Sequence, residues 1–361
     1  MTSDLTPTAL TIVVGSGGVG KTTIAAALGA RAADGGHDAL VMTFDPALRL
    51  KDTLGVGDAA RDAEVAVAGQ AKGTLHASLL DARRTFDRLV ERYAPDEASR
   101  RRILGNRYYQ DLAGGLAGIL EYMAVERLYE VWEEGRYDRV VLDTPPTRQA
   151  LDFLEAPARI VGFLDSGALR MALKPWFDEQ GRLRAGRRLG PLGRGFESWL
   201  DRVVGLDLLR DMGEFFQAFG PLYVGFRERA RAVEALLASA ETRFVLVAGP
   251  GEEKIPDALF FARRLEEKGY GVSALVVNRV HPTAAVSSSA AASEELAAAS
   301  DASAAVNDGE ALLRWLGAQD ARGLAQLGEL LGGRMPLVAV PLLPREPTDL
   351  ASLRHLADLL G

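Results

Sequence analysis

Along this chain, short apolar runs that end in glycine or aspartate alternate with longer stretches whose apolar residues recur at helical spacing. Leu10 to Val14 reads as a buried strand ended by Gly15, and Thr23-Ile24-Ala25-Ala26-Ala27-Leu28 opens a helix that Gly35-Gly36 stops near Asp34. Ala39 to Phe44 predicts a second strand, with Asp45-Pro46-Ala47 behind it. Leu75 to Leu79 predicts a short strand, and Asp81 to Tyr93 an amphipathic helix. Asp111 to Trp132 predicts a helix with an apolar face of Leu116, Leu120, Met123, Leu128 and Val131, although Gly114, Gly115 and Gly118 weaken its first half. Arg139 to Asp143 is a strand that ends in a carboxylate. Later come the strand Phe244 to Ala248, the helix Asp257 to Lys268, the strand Val272 to Val277 and the last strand Leu337 to Val340. Asp349 to Leu360 closes the chain as an amphipathic helix whose leucines read as core.

This alternation predicts an α/β fold: one doubly wound, mostly parallel sheet with helices on both faces, built from residues 1–361 as one domain. It is interrupted three times. Residues 57–72 are polar and alanine-rich, which predicts a surface segment. Residues 156–239 read as a helical insertion, with Leu208, Met212, Phe215, Phe216 and Phe219 at helical spacing and five arginines among the glycines of 181–195. Such a stripe is more often core than binding groove, though Met-rich surfaces do hold apolar partners. Residues 284–307, almost all Ala, Ser and acidic, predict a flexible segment.

Composition narrows the chemistry. The 361 residues carry a net charge of −7, which argues against a molecule-wide nucleic-acid surface. No cysteine is present, so thiol nucleophiles, disulfides and Cys-based zinc sites are excluded, and the four histidines are scattered. Neither a leader-like N-terminus nor a charge-free run of membrane-spanning length is visible, which predicts a cytoplasmic protein without permanent membrane insertion.

The candidate chemistry centres on Gly15-Ser16-Gly17-Gly18-Val19-Gly20-Lys21-Thr22, placed between a strand and a helix as a phosphate-binding loop requires. Glycines let backbone amides converge on phosphates, and the helix N-terminus adds partial positive charge. Lys21 is placed to reach the β- and γ-phosphates of ATP, and the Thr22 hydroxyl to ligate Mg²⁺. Thr23 follows in the same turn. Asp45 reads either as an N-cap ahead of Pro46 or as a functional carboxylate at a strand end. Asp143 reads as the aspartate that holds the Mg²⁺ shell.

The loop, the stretch Thr43 to Ala47 and the stretch Asp143 to Thr147 together resemble the ArsA-type ATPases, the family of arsenite-pump and tail-anchored-protein-targeting ATPases. Val277-Asn278-Arg279 and Pro341-Leu342-Leu343-Pro344-Arg345-Glu346 are similar to that family's two adenine-contacting stretches. The resemblance implies that Asp45 positions the attacking water, that Asp143 opens a second switch segment, and that Asn278 bonds the base. It implies a dimer, homo- or heteromeric, whose helical insertion could hold a hydrophobic helical client.

The departures are specific. Ser16 stands where the family's lysine reaches the partner's phosphates, and Arg148 stands where a small residue is usual. The targeting members' CxxC and the cysteines of an arsenite site are absent. Ser16 therefore raises a regulatory, poorly hydrolysing subunit as an alternative. A positioning ATPase of the ParA or MinD kind, which shares the loop, is the other; the acidic charge and core-like last helix oppose it.

Overall fold

The computed structural model describes residues 5, 7–44, 49–57, 60–61, 63–69, 71–94, 96–105, 119–145, 148–165, 225, 227–282 and 309–361. Two compact units divide the chain. The first comprises Met1–Leu79, Glu134–Ala150 and Leu237–Gly361, and the second Leu80–Glu133 and Leu151–Leu236.

The first unit holds an eight-stranded sheet. In chain order its strands are β1 (Leu10–Gly15), β2 (Asp38–Thr43), β3 (Val65–Ala66), β4 (Thr74–Leu79), β5 (Arg139–Asp143), β6 (Thr242–Ala248), β7 (Val272–Val280) and β8 (Leu337–Pro341). Their spatial order is β3-β4-β2-β5-β1-β6-β7-β8, with every neighbouring pair parallel except β3 and β4. Mostly parallel pairing is what near-continuous apolar strands predict, because both sheet faces must be covered. Val13, Val41, Val141 and Val245 lie in one core cluster, and the alternate residues Ile12, Met42, Leu142 and Leu246 are equally buried.

Helix α1 (Lys21–Asp34) fills that cluster with a run of alanines, Ile24 and Leu28. Against it packs the closing helix α10 (Leu350–Leu359), through Leu353, Leu356 and the flanking Leu360. Asp349 starts α10 with a capping box to Ser352, and Arg354 grips Asp34 of α1 through two 2.7 Å bonds. A short α2 (Arg49–Leu54) precedes β3. Helix α8 (Ile255–Glu267) packs on β6 and β7, burying Phe261 and Leu265, and α9 (Gly309–Leu331) precedes β8.

The second unit contains α3 (Ala82–Tyr93), α4 (Glu97–Leu104), most of α5 (Ile119–Glu134), α6 (Arg148–Asp165) from Leu151 on, and most of a helix α7 over 227–237. Asp81 caps α3 by accepting from the Arg84 amide. In its interior Phe86, Tyr122, Met123, Phe153 and Val233 are buried, together with the charged residues Glu126, Arg127 and Arg229. Arg229 of α7 donates from Nε to Glu126 of α5, and from Nη1 to Glu133 at 3.0 Å. Burial pushes the Glu126 carboxyl above the usual glutamate range, against the pull of the Arg229 guanidinium and the Tyr122 hydroxyl.

Two elements were missed from sequence. The surface segment 57–72 carries the edge strand β3, and helix α9 was not foreseen. The helix expected from Asp111 is described only from Ile119, and 284–307, with 166–224 of the proposed insertion, lies outside the described residues. No helix among the described residues is long and apolar enough to cross a membrane.

Candidate functional site: a glycine loop at the head of the sheet

β1 ends at Gly15, whose positive φ of 151° brings its Cα against the Val247 carbonyl of β6. A side chain there would collide with that backbone, so Gly15→Ala should lower stability by about 2–3 kcal/mol, read as a shift of the urea midpoint. Gly18 and Gly20 also have positive φ, 76° and 91°, and Gly20 is the N-cap of α1. That cap supplies no side-chain acceptor, and no acidic residue occupies the first turn. A helix N-terminus points its first amides outward, and with no cap side chain and no acid in the first turn this one keeps its positive potential. These donors fit a polyphosphate.

Lys21 is buried, and its Nζ donates to the Ser16 carbonyl at 2.9 Å, so the ammonium lies along the loop. One residue on, the Thr22 hydroxyl donates to Asp143 Oδ2 at 2.7 Å. Thr43, the last residue of β2, donates to the same oxygen at 2.9 Å. Register explains the meeting: Asp143 lies opposite Thr43 on one side and Val13 on the other. The fully buried carboxylate therefore joins the loop to the ends of β2 and β5. Because Thr22 spends its proton on Asp143, its oxygen lone pairs remain suited to a cation. This donor set fits Mg²⁺, held by Thr22 with Asp143 behind it.

Beside the loop lies an open pocket of about 380 Å³, with Thr23, Asn278, Arg279, Pro341, Leu342 and Leu343 among its lining residues. Asn278 is buried, its Nδ2 donating to the Val19 carbonyl at 2.9 Å and its Oδ1 accepting from the Arg279 amide at 3.0 Å. The asparagine thus ties the end of β7 to the glycine loop.

The structure brings together Gly15 to Thr23, Asp143, Asn278, Arg279 and the stretch Pro341 to Leu343, all at the carboxyl ends of β1, β5, β7 and β8. Pro344, next in that stretch, is not among the residues lining the pocket. Asp45 lies outside the described residues, as does the side chain of Arg148, the first residue of α6. Thr43 and Glu346 stand in stretches quoted for the resemblance, but neither was given a role of its own from sequence. A threonine ending an apolar strand was the available signal for Thr43, but its partner depends on which strand lies next to it.

A doubly wound sheet whose central strand runs into such a loop is the fold of the P-loop nucleotide-binding proteins, and this chain has it. Comparison with known sequences goes further. The profile of the anion-transporting ATPase family, ArsA, matches residues 8–182. A protein of Aquifex aeolicus described as an arsenical pump-driving ATPase is 24% identical over 352 residues, covering 96% of this chain and 77% of that protein. One of Halobacterium salinarum with a similar description is 32% identical over 173 residues, 45% of this chain and 26% of its own length. A GET3 ATPase of Malassezia globosa is 27% identical over 186 residues, 52% of this chain and 49% of the other. This chain therefore spans only about a quarter of the Halobacterium protein and half of the Malassezia one. The chain belongs to the ArsA-type ATPase family.

Proposed function

We propose that this protein binds and hydrolyses ATP as a dimeric switch, and that its nucleotide state opens and closes a helical region able to hold an apolar client. The observation that carries this reading is the Thr22–Asp143–Thr43 node. Asp143 ends β5, and a few residues later the chain enters α6, which belongs to the first unit up to Ala150 and to the second from Leu151. A change in what Thr22 and Asp143 hold has a short covalent path into the helical unit.

In this reading the α1 amides and Lys21 hold the phosphates, Thr22 and Asp143 hold Mg²⁺, and Asn278 and the stretch Pro341–Leu343 frame the base. Bound Mg²⁺ would neutralise charge developing on the phosphates. Asp45 would orient the attacking water, by the family resemblance. Ser16 places no cation at the loop's second position, so turnover by this chain alone is slow unless Arg148 or a partner subunit supplies the charge. The relatives' arsenical descriptions do not transfer as thiol chemistry, because this chain has no cysteine.

The test pairs phosphate release with limited proteolysis. Purified protein with Mg-ATP should release phosphate, and cleavage within 156–239 should differ at least about threefold in rate between ATP and ADP, as expected when ligands shift a two-state equilibrium. Phosphate release without any nucleotide-dependent change in cleavage, or in capture of an apolar helical peptide, would leave an ATPase but remove the switch.

A further inference from the structure

The end of β7 departs from regular pairing at one place. Val277 faces Ala339 and Val280 faces Pro341, so Asn278 and Arg279 together oppose a single residue of β8. Such a bulge re-aims a side chain. Arg279 has φ 63°, the one positive value of a non-glycine among the described residues. Left-handed backbone is strained at an arginine and persists where neighbours enforce it. Here Asn278 Oδ1 holds the Arg279 amide, while Asn278 Nδ2 holds the loop.

The strained turn delivers the guanidinium to the rim of the glycine loop. Nη1 donates to the Gly18 carbonyl at 3.2 Å, and Nη2 to Glu346 Oε1 at 2.6 Å. Glu346 belongs to the segment after β8, and it lines the same pocket as Thr23 and Arg279. Gly18 presents an open face, with nothing within 4 Å of where a side chain would begin. A mobile anion reaching the loop therefore meets a cation already pledged to an exposed carboxylate, Glu346 being 79% exposed.

We propose that Glu346 competes with bound nucleotide for Arg279: the two are paired in the pocket lining of the empty protein, and an arriving polyphosphate draws the guanidinium away and frees the loop after β8. This rests on the reading of the glycine loop as a nucleotide site. The balance favours the ligand. An exposed Arg–Glu pair contributes about 0.2–1 kcal/mol, whereas a phosphate offers several charge-assisted acceptors to the same planar fork. The contact to Gly18 keeps the guanidinium at the loop while it changes partner.

Equilibrium binding of ADP, ATP and adenosine tests this. Glu346→Gln keeps the shape and removes the charge, and should tighten ADP and ATP about two- to fivefold while leaving adenosine unchanged. Arg279→Gly removes the guanidinium and relaxes the backbone, so a folded protein is expected; ADP and ATP should weaken about tenfold or more. In that background Glu346→Gln should have no further effect. Unchanged ADP and ATP affinity in Glu346→Gln, or an equal gain for adenosine, overturns the competition. Wild-type protein that binds ADP and ATP without these effects defeats this proposal alone. Wild-type protein that binds neither defeats the nucleotide-site reading as well.

Discussion

Lys21→Ala should cut ATP turnover by at least about 10³-fold and leave the protein folded. The ammonium is the one cation that the loop sequence itself provides, since Ser16 is uncharged. It already lies along the loop, with Nζ donating to the Ser16 carbonyl. When phosphate arrives, that neutral carbonyl is exchanged for an anion in a largely buried setting, where electrostatic attraction is strongest. The structural cost of the substitution is small by contrast. The Lys21 backbone opens α1, and alanine is the better helix former. Phosphate release at saturating Mg-ATP, with circular dichroism alongside, makes the measurement. A folded variant that turns over within about tenfold of wild type would remove Lys21 from the mechanism and with it the basis for reading the loop as catalytic.

The sheet was legible because parallel strands buried on both faces must be nearly continuous apolar runs, as in Leu10 to Val14 and Arg139 to Asp143. The candidate site residues at their ends were legible for a related reason: in open α/β sheets, polar groups ending such runs sit where ligands bind. What stayed hidden depends on neighbours. β3 is two residues long and exists only by pairing with β4, so residues 65–66 carry no pattern of their own. In α9 the glycines Gly317, Gly323 and Gly328, together with exposed Leu313 and Leu330, blur the helical period. The meeting of Thr22 and Thr43 at one oxygen of Asp143 follows from strand order. The turn at Arg279 follows from a bulge, and nothing in Val277-Asn278-Arg279 announces either.

Arg229→Ala should destabilise the helical unit by roughly 3–5 kcal/mol. Glu126 is 1% exposed, so truncating Arg229 leaves a buried carboxylate without its guanidinium partner, held by the Tyr122 hydroxyl. Arg229 also stacks over the Tyr129 ring at 4.8 Å and reaches Glu133 at the surface, so one side chain ties α7 to α5 at three points. The pH dependence has a definite sign. The folded Glu126 carboxyl holds its proton more readily than the unfolded one, so this group withdraws stability as pH rises from the usual glutamate range to its raised folded value. The Arg229→Ala loss should accordingly shrink on acidification, as the orphaned carboxyl takes up a proton. Urea denaturation at several pH values measures both effects. Restoring stability with the double substitution Glu126→Leu and Arg229→Met would show that the cost lay in the broken pair, since well-packed apolar replacements of a buried pair are close to neutral. A deficit of several kcal/mol in the double variant would instead show that the pair itself holds α5 and α7 together.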